Sequence, residues 1–370
     1  MMIKKKLSIY NPFVSLVKGS LADLPTPSSI SYLWNFGFIL GVVLSLQLVR
    51  GVFLAMNYVP SVNLAFDSLI HIMRDIDYGY LVRYSHMNGA SLFFAAIYIH
   101  IARGIYFHSP SKIPLVWSSG LLILFGRIAA AFVGYVLPWG QMSFWGATVI
   151  TRILSAVPYL GGTLTSWLWG GFSVEQPTLD RFFRLHFLTP FLLVGLVLLH
   201  LMFLHESGSS NPIGLFPDLE KTKFSPVFLV KDTLPLIFLM FFLVRLISLA
   251  PEILGDVENL NPASSSNTPP HIQPEWYFLF AYAVLRSIPS KLGGVVAIVF
   301  AILALMPLTL KSFGFNRKFS FSKAFFFWCL VVVFFLLTWI GANPVEPPYV
   351  LLGQSFTFIY FFLYYFIYPS

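Results

Sequence analysis

The sequence predicts an all-α, polytopic membrane protein, and three observations carry that prediction. Of 370 residues, 57% are hydrophobic and only 10% are charged, too few charges to coat a soluble domain of this size. The apolar residues gather into eight stretches near 32–56, 79–107, 114–136, 180–204, 226–247, 289–309, 321–341 and 348–368, each close to the ~20 residues a helix needs to cross a bilayer core. Four histidines stand in two such stretches at one repeated spacing. Lipid offers the backbone no hydrogen-bond partner, so all eight stretches are expected to be transmembrane helices. The 18% of aromatic residues, with 40 phenylalanines, suit lipid-facing and interfacial positions.

The net charge of +8 raises nucleic-acid binding as a function, but no basic tract exists beyond Lys4, Lys5 and Lys6, so that function is set aside. Loop lysines and arginines instead report orientation. Eight crossings put both termini on one side. With the N-terminus inside, the inside segments hold most of the lysines, Lys311, Arg317 and Lys318 among them, a moderate bias toward that orientation. One cysteine, Cys329, excludes an intrachain disulfide and covalent haem attachment through C-x-x-C-H. No apolar run precedes Asn11-Pro12, so no cleavable signal peptide is expected.

Taken in order, the first stretch carries Gly37 and Gly51, and the second His86 and His100. The third carries Gly120 and Gly134, and the fourth His186 and His200. Every pair is fourteen residues apart, just under four helical turns, so both members of a pair face nearly one way at ~21 Å separation along the axis. The second and fourth stretches run in the same direction, because the third returns between them. His86 then lies level with His186, and His100 with His200. Two imidazoles at each level make bis-histidine ligation of a haem iron, and filled axial positions favour electron transfer over gas binding. A single membrane histidine is as readily a polar packing group or proton relay. Two helices with matching spacing and direction weaken that account. The four glycines fit clearance for a flat macrocycle, or ordinary small-residue helix packing. Arg83 and Arg103, each three residues from a histidine, fit haem propionates, or charges that snorkel to the interface. Arg50 and Arg127 fall inside apolar stretches, where a charge is costly; the sequence assigns them no role.

The connections 137–179 and 248–288 are long, which in compact proteins is often functional. The second carries Glu275, a candidate proton acceptor at a partly buried edge or an acidic group favoured at a helix start. Tyr277 and Tyr282 fit hydrogen bonding or gating, or aromatic packing. His205, five residues past His200, suits hydrogen bonding and proton relay near the inner interface. Lys231 and Asp232 read by themselves as a solvated helix end.

At these residues the chain resembles cytochrome b of the mitochondrial and bacterial cytochrome bc complexes, over nearly its whole length. The run Gly140 to Val149 (GQMSFWGATV), Phe203 to Glu206 (FLHE) and Pro274 to Tyr277 (PEWY) look like that family. One continuous chain with both histidine spacings at fourteen resembles the bc type more than the split chloroplast type, and its short length resembles mitochondrial members. The resemblance implies two non-covalent b-type haems in a bundle over residues 1–212, with a C-terminal region over 213–370. It implies quinol oxidation beside Glu275, under the helix that carries Gly146, and quinone reduction near His205, Lys231 and Asp232, with Ser209 nearby. It implies a Rieske iron–sulfur protein, a c-type cytochrome and further complex III subunits as partners, a homodimeric complex, contact with membrane lipid, and residence in the mitochondrial inner membrane. Two rival functions stay open at this point: a proton-coupled secondary transporter, and a haem scaffold with no quinone site.

Overall fold

Apolar composition and helical backbone together decide the architecture of the computed structural model, which describes residues 11–213, 220–310 and 321–367. Lys4, Lys5, Lys6, Lys311, Arg317 and Lys318, expected on the inner side, lie outside these residues. All eight apolar stretches contain helix. They are α1 (Phe36–Ala55), α3 (Gly79–Tyr106), α4 (Pro114–Val136), α7 (Gln176–Ser207), α8 (Val227–Leu249), α10 (Lys291–Leu303), α11 (Phe321–Gly341) and α12 (Tyr349–Phe362). Between them lie α2 (Ala65–Asp75), α5 (Gln141–Arg152), α6 (Gly161–Trp169) and α9 (Leu279–Ser287).

Six of the eight, α1 with its leading turn from Tyr32 included, are long and apolar enough to cross a membrane. α10 and α12 are shorter. α10 ends at Leu303, and a 3-10 turn from Pro307 to Leu310 follows, where proline's missing amide and fixed φ stop further winding. The chain still alternates between two ends. At one end, strand β1 (Pro25–Pro27) pairs antiparallel with β2 (Lys221–Lys223), Asp23 takes Lys223 and Lys18 as ion pairs at 2.9 and 3.4 Å, and Ser109 bonds Ser210 at 3.0 Å. At the other end Gly140 bridges Pro262, Lys291 Nζ donates to Ser155 at 3.1 Å, and Arg286 donates to the carbonyl of Asn343 at 2.9 Å. Connections that alternate in this way are those of an eight-crossing chain.

Two boundaries differ from the sequence reading, each for a local reason. α7 starts at Gln176, four residues earlier, because Glu175 and Thr178 form a reciprocal capping box ahead of Pro177, which satisfies orphan amides. It runs on to Ser207, where Gly208 at φ +74° turns the chain out. Residues 279–287 fold as α9 instead of loop, with Leu279, Ala281, Ala283 and Val284 buried. α9 packs mainly on α11, α10 and α12.

α1 packs chiefly on α3, and α4 on α7, the two halves of the N-terminal bundle. Many leucines and phenylalanines of α7 and α8 are exposed, such as Leu192 at 60% and Phe238 at 67%. On a membrane protein these faces meet lipid or a neighbouring subunit.

Candidate functional site

The four histidines sit where the helix arithmetic places them. The rings of His86 and His186 face each other with centroids 6.2 Å apart and planes at 86°. A metal held at about 2 Å from an imidazole nitrogen on each side would set the centroids about 6 Å apart. Two protein ligands on opposite sides, with no cluster of three or more His, Cys, Asp or Glu able to hold a metal among the described residues, fit an iron whose other ligands come from a macrocycle.

Each glycine of the fourteen-residue pairs clears one histidine. A Cβ at Gly37 would meet His100 Cε1 at 3.4 Å, and one at Gly51 would meet His86 Cε1 at 3.3 Å. At Gly120 it would meet His200 Cε1 at 3.3 Å, and at Gly134 His186 Cε1 at 2.3 Å. The atom cleared is an imidazole carbon, so the glycine spacing follows directly from the histidine spacing on the packed helix. The pairing also shows α1 antiparallel to α3, and α4 antiparallel to α7.

Hydrogen bonds orient the two histidines of α7. His186 Nδ1 lies 2.8 Å from the carbonyl oxygen of Ala130, which holds the proton on Nδ1 and leaves Nε2 for a metal. His200 Nδ1 lies 2.9 Å from Ser119 Oγ. That hydroxyl donates its own proton to Val116 O at 2.9 Å and so accepts from the imidazole. His86 Nδ1 is buried with no partner among the described residues, and its backbone carbonyl accepts from Gln47 Nε2 at 2.8 Å. Arg103 Nη2 lies 3.3 Å from His100 Nδ1, its guanidinium covers Trp34 at 5.0 Å, and its Nε has no partner among the described residues. A buried, open guanidinium donor beside a histidine fits an anionic group such as a propionate.

A cavity of about 240 Å³ opens at the His86 level, lined by His86, His186, Gly51, Gly134, Arg83 and Arg127, and also by Glu275 and Tyr277. The PEWY segment reaches it because α3 holds it. Trp276 Nε1 donates to Ser91 Oγ at 3.2 Å. Tyr277 stacks on Phe94 with centroids 4.1 Å apart, and the Tyr98 hydroxyl donates to the Tyr277 carbonyl. Ser91, Phe94 and Tyr98 follow His86 on the same helix. The other wall is tied by α5: Ser143 N and Oγ donate to Asn259 Oδ1 at 2.8 and 3.0 Å, and Gln141 N donates to Asn261 O at 3.0 Å. Gly146 is buried on α5, with no atom within 4 Å of where its Cβ would stand.

Glu275 stands at the start of the 3-10 turn 276–278 and caps none of its amides with its side chain. Burial first, then Asp256 and Glu252, push its carboxyl up to about 8, and Arg83 offsets part of the rise. It is therefore a proton-holding group at neutral pH, not a simple helix-start charge. Glu252 itself accepts from the Tyr84 hydroxyl. Tyr282 lies apart from Tyr277, under the guanidinium of Arg286 at 4.8 Å.

At the opposite end, His205 is exposed in the last turn of α7, and Ser209 is half-buried just beyond it. Asp232 is buried, at 8% exposure. Lys231 Nζ donates to the Ile30 carbonyl, and its backbone carbonyl accepts from Asn35 Nδ2 at 2.6 Å. Lys231 and Asp232 thus dock on the segment before α1 and are not a solvated helix end. Among the described residues no hydrogen bond joins His205 to Lys231 or Asp232.

Sequence reasoning missed Gln47, Ser91, Ser119, Glu252, Asp256 and Asn259. None lies in a repeated spacing, and only Glu252 and Asp256 carried a signal, as acids in the same long connection as PEWY.

Residues 21–208 match the family model of the cytochrome b/b6/petB N-terminal region, and residues 262–361 match that of the C-terminal cytochrome b/b6/petD region. This chain belongs to the cytochrome b family. It is similar to a chain in a solved structure of a hyperthermophilic respiratory Complex III, at 31% identity and a TM-score of 0.89. That match covers 95% of this chain and 94% of the other. Cytochrome b is the membrane-embedded core of bc-type oxidoreductase complexes, so binding of haem b, work in electron transport, and other subunits as partners are implied for this chain.

The glycine clearances give one expected result. Gly134→Ala, which puts a methyl group 2.3 Å from His186 Cε1, forces that ring out of line and lowers haem content sharply. Gly51→Ala, at 3.3 Å, does so mildly. Haem per chain in purified variants checks the order, and equal haem content in both would refute it.

Proposed function

We propose that this cytochrome b is the two-haem subunit of a quinol:cytochrome c oxidoreductase, in which His86 and His186 would hold one haem and His100 and His200 the other. The observation that carries the proposal is the single cavity lined by both His86 and His186 and by Glu275, which puts a proton acceptor beside an electron acceptor. Bound at the two histidine levels, b-type haems would supply one-electron carriers at two depths of the membrane.

The chain's own residues do the rest. Quinol must lose two electrons and two protons. Glu275, partly buried and facing Arg83, Glu252 and Asp256, takes one proton from a hydroxyl of a quinol bound in the cavity and passes it to water, and the second proton leaves with the electron that goes to the iron–sulfur partner. Tyr277, stacked on Phe94, walls the head group, with Gly146 leaving room on the α5 side and Tyr282 further along. Arg83 and Arg103 would hold the propionates of the bound haems. One electron passes to a Rieske iron–sulfur partner and on to a c-type cytochrome, since Cys329 alone cannot ligate a cluster. The two histidine levels, once loaded with haem, would let the other electron reach the opposite end. There His205 and Ser209 hydrogen-bond the quinone carbonyls, and a quinone that gains two electrons in successive turnovers takes one proton through His205 and the second from Asp232 beside Lys231. The His86 level faces the intermembrane space and the His100 level faces the matrix, in the inner mitochondrial membrane. Residues 1–212 form the haem-binding bundle and 213–370 the C-terminal unit, and the complex is a homodimer.

A reduced-minus-oxidised optical spectrum of the purified complex tests this reading. Two b-type signals, both reduced by added quinol, are expected. A folded sample with no haem signal would leave the transporter as the better account. Haem that quinol cannot reduce would leave the scaffold.

A further inference from the structure

Arg127 is an intramembrane cation whose position the proposed function does not use. It is buried, at 5% exposure, and its Nε and Nη2 have no hydrogen-bond partner among the described residues. Its guanidinium lies over Phe93 at 4.4 Å and Phe94 at 5.5 Å. Ring faces attract a cation, but by far less than its desolvation costs. An arginine does not shed its proton in a protein, so this is a standing positive charge in a medium that screens it poorly.

Its place along the bundle is specific. Arg127 is seven residues from Gly120 and seven from Gly134, and Phe93 is seven from His86 and seven from His100. Seven residues are about 10 Å of helix. The Cα of Arg127 and the ring beneath its guanidinium therefore both stand halfway between the two histidine levels. The side chain leans toward one of them, because it lines the cavity of His86 and His186. Arg50, the other cation inside an apolar stretch, is only half-buried and donates to Ser85 O at 3.3 Å.

We propose that Arg127 is an electrostatic positioning residue for electron transfer: a fixed cation between the two levels that raises the reduction potential of both haems, and that of the His86 level more. The inference rests on the two-haem reading. Adding one electron to ferric iron lowers its charge by one unit, so a nearby cation favours the reduced form, and the nearer site gains more. The electron comes from quinol, as in the proposed function. Phe94 links the two, since it lies under Arg127 and stacks on Tyr277.

The test is a potentiometric titration of the purified complex, read optically, for wild type, Arg127→Gln and Arg127→Lys. With glutamine, the equilibrium constant for reducing the His86-level haem is expected to fall about tenfold or more, a 59 mV drop for one electron. The His100-level haem falls less, and lysine keeps both near wild type. Should the glutamine variant hold only the His100-level haem, that haem must still titrate lower than in the lysine variant. Equal potentials in the two variants, whether shifted or not, would overturn the inference, because charge would then not be the cause. A wild type without two b-type signals would overturn the two-haem reading itself, and this inference with it.

Discussion

Replacing His86 with alanine is expected to remove one of two b-type haem signals and leave the other, while His100→Ala removes the complementary one. In the proposed arrangement each haem iron would depend on one ligand from α3 and one from α7. The levels are separated by ~21 Å, so loss at one does not propagate as a missing ligand to the other. Within each pair the two histidines are not equivalent. His186 and His200 are held by Ala130 O and Ser119 Oγ, so they keep their orientation when the partner is removed. His86 has no partner on Nδ1 among the described residues, so in the proposed arrangement its orientation would depend most on the bound haem. Haem per chain should fall from about two to about one in either single variant, and to none when both are combined. The measurement is a pyridine haemochrome assay beside the reduced-minus-oxidised spectrum. Loss of both signals in each single variant, with the helical circular dichroism intact, would refute the pairing by level.

Glu275→Gln is expected to slow quinol oxidation by about 10²–10⁴-fold, the ordinary worth of a positioned general base, and to leave haem content unchanged. The pH profile carries the finer test. A buried carboxyl pushed up to about 8 holds its proton at neutral pH and becomes able to accept one as the pH rises through that value. Burial is the main cause, Asp256 and Glu252 add to it, and Arg83 opposes it. Oxidation by the wild type should therefore rise across a limb near pH 8, and that limb should be missing from the glutamine variant. A variant that is slower but keeps the same limb would show that another group takes the proton. Asp256→Asn, which removes one of the charges that raise Glu275, should move the limb to lower pH.

The sequence by itself determined the membrane class, the eight helical stretches and the four histidines. Each is a periodic or compositional property: apolar runs of bilayer length, and a fourteen-residue spacing that one helical period converts into a shared face and a fixed rise. The same arithmetic gave Gly37, Gly51, Gly120 and Gly134, though which atoms they clear needed the packed helices. The boundaries that moved did so for reasons of single residues, the Glu175–Thr178 capping box on α7 and the buried face of α9. What the sequence could not decide is which loop residues meet the histidine level. Glu275 is 189 residues from His86, and no helical period connects them. The Ser91, Phe94 and Tyr98 anchors on α3 bring the PEWY segment to the cavity. Long-range contacts of this kind depend on side-chain shape and hydrogen bonding between elements, which a single chain's periodicity does not encode. Arg127 shows both limits together. The sequence marked a charge in an apolar stretch, and the tertiary structure alone placed it over Phe93, between the two levels, with no acidic ion-pair partner among the described residues.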